Sequence, residues 1–170
     1  GLDQKTVALI GDGSLTGGLA FEGLNNAGAS RADILVILND NNISLDKNIG
    51  GLHNYLLRIT TDPRYNKAKK RVWNSLGDNW FRRMIQKFVA TTKSHLVSDS
   101  GGDLFQAMGF RYFGPIDGND IEQVVNTLQK MKNMGGPRLL HVLTKKGKGY
   151  APAESDQTTW HAPGIFDPET

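Results

Sequence analysis

Two short apolar runs, each closed by a polar cluster, constrain the fold of this chain more than any other feature. The runs are VALI at 7–10 and ILVIL at 34–38, followed directly by GDGS and NDNN. A helix-length segment at about 15–27 separates them, and Gly28 is placed to end that helix. Continuous apolar runs are typical of parallel strands buried on both faces, and such strands need a crossover, usually a helix. The pattern therefore predicts a βαβ unit within an α/β fold.

The two polar clusters are expected to meet at one edge of the predicted sheet. Asp12 and Asn41 follow neighbouring strands, and open α/β sheets bind ligands outside the carboxyl ends of their strands. A helix that begins near Ser14 directs free N–H groups into that crevice, where they suit a phosphate. Carboxylate and amide oxygens are hard ligands, suited to magnesium or calcium. The residues thus predict a metal ion between protein and phosphate, although each cluster alone is also an ordinary turn sequence.

These segments, together with a later basic loop, resemble the thiamine diphosphate enzymes, and among them the 1-deoxy-D-xylulose-5-phosphate synthase family. The similar segments are GDGSLTGG at 11–18, LNDN at 38–41 and TKKGKGY at 144–150. The spacing from Asp12 to Asn41 is also similar to that of this family. The resemblance implies the thiamine diphosphate-binding fold, a doubly wound and mostly parallel sheet that is incomplete here.

The resemblance also implies a set of site residues. A Mg²⁺ ion would be held by Asp12, Asn41 and a backbone carbonyl near Ile43, and the N–H groups of Gly13 and Ser14 would hold the diphosphate. The residues expected to bind thiamine diphosphate are Gly11, Asp12, Gly13, Ser14, Asn41, Ile43, Lys146 and Tyr150.

Two later segments acquire a function only through the resemblance. Without it, the loop at 144–150 would be interpreted as a solvated basic loop, and the single histidine of the tail as unremarkable. The resemblance implies that Tyr150 contacts the cofactor and that Lys146 lies near the diphosphate or a mobile substrate loop. It also makes His161, in the segment WHA, a candidate for proton transfer or substrate positioning.

The implied activity is that of a transketolase-like transferase. It would condense pyruvate, with decarboxylation, and glyceraldehyde 3-phosphate to 1-deoxy-D-xylulose 5-phosphate, which leads to isoprenoid precursors, thiamine and pyridoxal. The resemblance implies a cytoplasmic homodimer when the enzyme is complete. A transketolase, a 2-oxo acid dehydrogenase subunit and a non-catalytic module that binds phosphate ligands remain the alternatives.

The resemblance covers only part of the implied enzyme. Residues 1–150 would be part of the diphosphate-binding domain, and residues 151–170 would be a linker towards a second domain. The missing parts would include an upstream segment with substrate histidines and a downstream glutamate that activates the cofactor. The chain alone is therefore expected to be inactive and to bind thiamine diphosphate weakly at best.

The middle of the chain predicts a helical excursion. A loop is expected from Ser44 to about Leu57, and residues 58–100 are charged and helical in pattern, so that the excursion spans about 46–100. A basic cluster at 64–71 holds much of the positive charge, and nucleic-acid binding through it is an alternative that the modest net charge of +3 disfavours. The chain has no cysteine and no apolar run long enough to cross a membrane. Neither a nucleic acid nor a membrane is expected as a partner.

The last part of the chain predicts a second βαβ unit. A short helix at 103–108 precedes a strand at 110–113, which Gly114 and Pro115 are expected to break. The next helix has an apolar stripe formed by Ile121, Val124, Val125, Leu128 and Met131. Asn119 or Asp120 is expected to cap this helix, and Asn119 stands where the resembled family usually has histidine. A strand at 139–143 completes the unit.

Overall fold

The computed structural model of this chain describes residues 4–41, 51–61, 103–161 and 164–165. The chain divides into two units, one of Gly1–His53 with Leu104–Thr170 and one of Asn54–Asp103. The described part of the first unit contains a parallel sheet of four strands. All residues considered for the site below belong to that unit.

Strands and helices alternate along the described chain. The strands are β1 (Thr6–Gly11), β2 (Ile34–Asp40), β3 (Arg111–Asp117) and β4 (Arg138–Leu143). The helices are α1 (Asp12–Leu15), α2 (Gly18–Ala29), α3 (Gly51–Thr61), α4 (Asp103–Ala107), α5 (Ile121–Met131) and α6 (Ala151–Ser155), followed by a 3-10 helix at Thr159–His161.

The sheet has the order β1-β2-β4-β3 and every pairing is parallel, which confirms the predicted α/β class. The chain crosses the sheet from β1 to β2 in one direction and from β3 to β4 in the opposite direction. Because crossovers between parallel strands are right-handed, this reversal places α2 and α5 on opposite faces. The sheet is therefore doubly wound, and the residues that follow its strands lie at a common edge.

The strand β4, which lies between β2 and β3, is the most thoroughly buried. Residues 138–142 are all buried, and Leu139 and Leu140 have no exposed surface. The large apolar side chains buried elsewhere in this unit include Leu15, Leu24, Leu38, Phe105, Phe110, Phe113 and Met131. Burying each such side chain contributes roughly 1.5–3 kcal/mol, so this core holds the strand ends firmly in register.

The first strand is less buried than predicted. Val7 and Leu9 are 54% and 72% exposed, so the prediction that this run is buried on both faces is wrong. The two side chains share one face because side chains alternate along a strand, while Ala8 and Ile10 on the other face are half-buried. Within the described residues β1 is an edge strand that pairs with β2, which leaves one of its faces open.

The segment predicted as one helix forms two, α1 and α2, with a turn at 16–17 between them. Gly28 lies inside α2 and Ser30 is the C-cap, so the prediction that Gly28 ends the helix is wrong. A Cβ atom on Gly28 would lie 1.7 Å from the carbonyl oxygen of Met108. Glycine is required here because the backbone of the loop before β3 packs directly against α2.

The third strand is longer than predicted. It continues through Gly114 and Pro115 to Asp117, with a register shift against β4 between Phe113 and Ile116. Proline lacks an N–H group and is tolerated in edge strands and at bulges. Since β3 is an edge strand of the described sheet, Pro115 interrupts the pairing without ending the strand.

The apolar stripe of α5 is buried only in part. Met131 is buried and Val124 and Leu128 are half-buried, whereas Ile121 and Val125 are 74% and 42% exposed. With 3.6 residues per turn, successive residues are about 100° apart around the helix axis. The centre of the buried side therefore lies nearer to positions 124 and 131, and the remaining stripe residues flank it.

A helix replaces the loop predicted up to about residue 57. α3 begins at Gly51 and ends at Thr61, with Leu56 and Ile59 buried. In the sequence, the flanking glycines and polar residues obscured the helical spacing of these two apolar residues. The rest of the predicted excursion, including the basic cluster at 64–71, lies outside the described residues. In the part of the chain that the structure describes, no helix is long and apolar enough to cross a membrane.

Candidate functional site

The ends of the four described strands meet at one edge of the sheet. The register pairs Gly11 with Asn39, and both Asp40 and Asp117 with Leu143. Since all strands are parallel, the residues that follow them are neighbours along this edge. The polar side chains placed there are those of Asp12, Asn41, Asn119 and Thr144.

Asp12 begins α1 directly after β1 and is only 5% exposed. Gly11 is the N-cap of α1, and as a glycine it has no side chain to occupy the N–H groups of the first turn. Gly13 and Ser14 lie in that turn. A Cβ atom on Gly11 would meet nothing within 4 Å, so there is open space beside the start of the helix. The start of α1 thus combines a buried carboxylate, first-turn N–H groups and open space.

Asn41 follows β2 directly and is half-buried. It therefore lies at the same edge as Asp12, after the neighbouring strand. Ile43, the third expected metal ligand, lies outside the described residues. Among the described residues, no three His, Cys, Asp or Glu side chains form a cluster that could hold a metal ion. The oxygens of Asp12 and Asn41 fit Mg²⁺, which in proteins takes one or two carboxylates together with phosphate oxygens and water.

The loop after β4 is fastened to the end of β2. The Thr144 hydroxyl donates to Asn39 Oδ1 at 2.8 Å, and the Thr144 N–H donates to the carbonyl oxygen of Asp40 at 2.9 Å. These two hydrogen bonds connect the basic loop at 144–150 to the strand end that precedes Asn41.

Asn119 has a different function from the helix cap predicted as one possibility. The cap of α5 is Asp120, whose carboxylate accepts a hydrogen bond from the Gln123 N–H at 3.0 Å. Asn119 Oδ1 instead accepts from the Lys145 N–H at 2.6 Å. The residue that stands in place of the histidine of the resembled family therefore joins the loop after β3 to the loop after β4.

Glu154, which lies in α6, binds the basic loop from the tail. Its carboxylate accepts hydrogen bonds from Lys145 Nζ at 2.7 Å and from the Gly149 N–H at 2.8 Å, and it lies 3.7 Å from Lys148 Nζ. The hydrogen bond from Lys145, followed by that from Gly149, lowers the pKa of Glu154 to about 2. Sequence reasoning missed this residue because no motif links a glutamate in the tail to the loop before it.

The tail returns to the basic loop through α6 and the 3-10 helix, where an irregular segment was expected. The rings of Tyr150 and Trp160 pack edge to face with their centroids 5.1 Å apart, and Lys146 Nζ lies 3.4 Å from His161 Nε2. His161 Nδ1 is buried and has no hydrogen-bond partner in the described part of the chain. These two contacts join the basic loop to the tail, and we call Lys146, Tyr150 and His161 the loop–tail group.

A buried chain of hydrogen bonds lies below the edge. Tyr112 Oη is 2.7 Å from His141 Nδ1, and His141 Nε2 is 3.0 Å from Asp40 Oδ2. His141 has no exposed surface, and Asp40 is 5% exposed. The sequence did not reveal these hydrogen bonds, because the three residues come from three different strands and no short sequence motif contains them.

Comparisons with known proteins identify the family of this chain. A family model for 1-deoxy-D-xylulose-5-phosphate synthase matches residues 1–144. The chain is 48% identical over 174 residues to the 1-deoxy-D-xylulose-5-phosphate synthase of Parabacteroides distasonis, which covers 99% of this chain and 27% of that protein. It is also 48% identical over 177 residues to the enzyme of that name from Chlorobaculum tepidum, with 100% and 27% covered.

Among solved structures, the transketolase from Campylobacter jejuni has a similar fold. Its TM-score with this chain is 0.54, at 22% sequence identity over 93% of this chain and 18% of that chain. At this level of identity the similarity concerns the fold alone. The chain spans about 27% of the length of the curated relatives that it matches.

Proposed function

The chain belongs to the 1-deoxy-D-xylulose-5-phosphate synthase family, and we propose that it supplies the part of such an enzyme that binds thiamine diphosphate and Mg²⁺. The observation that carries this proposal is the position of Asp12 and Asn41 at the ends of adjacent parallel strands. The open space beside Gly11 supports it, because a ligand can approach the start of α1 there.

The residues at the sheet edge would bind and orient the cofactor. The carboxylate of Asp12 and the amide oxygen of Asn41 would hold Mg²⁺, together with the carbonyl near Ile43. The N–H groups of Gly13 and Ser14 would donate hydrogen bonds to the diphosphate, which a helix start favours by its partial positive charge. The metal ion would in turn neutralise the charge that the diphosphate brings next to Asp12.

The loop–tail group would complete the site from the basic loop. Lys146 would add a positive charge near the diphosphate, and the Tyr150 ring would contact the cofactor. His161 would hold or move a proton at the substrate, since its Nε2 faces Lys146 and its buried Nδ1 has no partner among the described residues.

The proposed reaction condenses pyruvate, with loss of carbon dioxide, and glyceraldehyde 3-phosphate to 1-deoxy-D-xylulose 5-phosphate, for isoprenoid, thiamine and pyridoxal synthesis. When bound, thiamine diphosphate supplies the electron sink that the decarboxylation requires. Because the chain spans about 27% of the length of its relatives, we propose that further domains of the same enzyme complete the site. We place the complete enzyme in the cytoplasm, as a homodimer.

Calorimetric titration of thiamine diphosphate into the protein, first with Mg²⁺ and then with EDTA, tests this proposal. Binding is expected with Mg²⁺ and is expected to disappear with EDTA. Asp12→Asn keeps the size of the buried side chain and removes its charge. Replacing even the hydrogen-bond partners of metal ligands costs about 10- to 100-fold in affinity, so Asp12→Asn is expected to cost at least as much.

Glu22→Gln is the matched control, since it removes an exposed carboxylate of α2 and is expected to leave binding unchanged. Binding that is insensitive to both EDTA and Asp12→Asn would contradict the proposal. If this chain does not bind, the same titration on the full-length protein decides: binding there means that the chain needs its other domains, and no binding refutes the proposed function.

A further inference from the structure

Tyr112, His141 and Asp40 share one face of the sheet across three adjacent strands. Leu38 is the register partner of His141, and Leu139 is the register partner of Tyr112. Each of the two hydrogen bonds therefore joins diagonal neighbours, two residues apart along the strands, which is within reach of long and aromatic side chains. The face that carries these side chains ends at Asp40, directly before Asn41.

Each ring nitrogen of His141 has a hydrogen-bond partner. His141 Nε2 lies 3.0 Å from Asp40 Oδ2, where a carboxylate oxygen can accept a hydrogen bond from the ring. His141 Nδ1 lies 2.7 Å from the hydroxyl of Tyr112, a group that can both donate and accept. The ring of Phe105, which is fully buried, stacks on that of Tyr112 with centroids 5.8 Å apart. The imidazole is therefore held at both nitrogens in surroundings without solvent.

The end of β2 is held at three points from β4 and from Thr144, the residue after it. His141 binds the carboxylate of Asp40, the Thr144 N–H binds the carbonyl of Asp40, and the Thr144 hydroxyl binds the side chain of Asn39. The last two residues of the strand are thus fixed by both backbone and side chain. As a consequence, the backbone that leads into the next residue, Asn41, has a defined position.

From these contacts we infer that His141 is a positioning residue of the magnesium site. Acting through Asp40, it fixes the backbone from which Asn41 presents its amide oxygen, while Tyr112 holds the imidazole at its other nitrogen. His141 touches neither the metal ion nor the diphosphate in this arrangement. The inference rests on the proposed function, because it concerns how the sheet edge holds Mg²⁺.

The test measures magnesium affinity by calorimetry in the full-length protein, at a fixed concentration of thiamine diphosphate. His141→Leu removes the donor to Asp40 and is expected to weaken Mg²⁺ binding about 10- to 100-fold. His141→Gln retains an N–H donor and is expected to recover most of that affinity. Tyr112→Phe removes one hydroxyl and is expected to weaken binding about 2- to 10-fold, which is the effect of one hydrogen bond.

Leu139→Ala is the matched control, because Leu139 is equally buried in the same strand but is an apolar side chain. It is expected to lower the melting temperature without changing the Kd for Mg²⁺. An equal loss of Mg²⁺ affinity in Leu139→Ala and His141→Leu would mean a general packing effect and would overturn the inference. If His141→Leu does not fold, His141→Gln and Tyr112→Phe decide, and unchanged Mg²⁺ affinity in Tyr112→Phe overturns it.

The wild-type titration distinguishes a failure of the proposed function from a failure of the positioning by His141. If the wild-type protein does not bind thiamine diphosphate in a Mg²⁺-dependent way, the proposed function is wrong and this inference is wrong with it. If the wild type binds and the His141 and Tyr112 variants bind equally well, only the positioning of Asn41 through Asp40 is refuted.

Discussion

Glu154 determines how the basic loop presents its charge. Of the three lysines at 145–148, Lys145 and Lys148 face the Glu154 carboxylate, whereas Lys146 faces His161. A single carboxylate thus holds two ammonium groups on one side of the loop. We expect this arrangement to make Lys146 the lysine that meets an anionic ligand.

We predict that Glu154 titrates near pH 2 in the folded protein. The hydrogen bond from Lys145 favours the ionised carboxylate, and so the pKa lies at about 2 compared with the ordinary value of 4.5. Since the folded-state pKa is the lower one, this contact contributes its full stability above about pH 4.5. The contribution decreases as the pH falls from there towards 2. Carboxyl ¹³C chemical shifts followed by NMR through the acid range would measure this pKa.

Lys145→Met removes the largest cause of that shift and is expected to return the pKa of Glu154 towards 4.5. Lys132→Met, which replaces an exposed lysine just after α5, is the matched control and is expected to leave it unchanged. A Glu154 that titrates at its ordinary value in the wild type would contradict the contact with Lys145.

At the scale of elements, the packing of α2 depends on the absence of a side chain at one position. Gly28 lies against the turn at Met108 and Gly109, and Gly109 itself has a φ of +89°. A Cβ atom on Gly28 would lie 1.7 Å from a backbone oxygen of that turn. Since the contact is with backbone, it cannot be relieved by a change of rotamer.

We therefore predict that Gly28→Ala destabilises the protein by about 1–3 kcal/mol, the usual cost of overpacking. Gly23→Ala, on the same helix, is expected to have the opposite effect, because nothing lies within 4 Å of its added Cβ. Alanine at an open helical position is favoured over glycine by roughly 0.5–1 kcal/mol. Urea unfolding of the two variants measures both effects, and an equal change of stability would contradict the close contact at Gly28.

At the scale of the whole molecule, the unit that contains the sheet has exposed apolar side chains on its surface. Val7 and Leu9 on β1, Leu19 on α2 and Ile121 on α5 are all more than half exposed. The chain also spans about 27% of the length of its relatives. Both observations fit the proposal that this unit works as one part of a larger enzyme.

We predict that this chain alone forms no detectable 1-deoxy-D-xylulose 5-phosphate from pyruvate and glyceraldehyde 3-phosphate. The reason is that the residues proposed here bind and orient the cofactor, while its activation is assigned to another domain. A product assay of the chain beside the full-length protein, with thiamine diphosphate and Mg²⁺ in both, tests this. An appreciable rate from the chain alone would refute the division of the site between domains.

The sequence alone was sufficient for the features that depend on local pattern. The apolar runs that form β1, β2 and β4 were visible because strands of a parallel sheet are typically uninterrupted runs of apolar residues. The polar clusters behind them identified Asp12 and Asn41 as residues of one sheet edge, since parallel strands end on the same side. The family was also visible, because its motifs lie in short contiguous segments.

Only the tertiary structure decided the features that depend on residues far apart in the chain. The strand order left Val7 and Leu9 open, the approach of Met108 explained Gly28, and the pairing of β2 with β4 joined His141 to Asp40. Glu154 is nearer in sequence to Lys145, but it too meets its partner only because the tail returns to the loop. Such contacts leave no periodic trace in the sequence, because they arise when segments fixed by local preference are packed against one another.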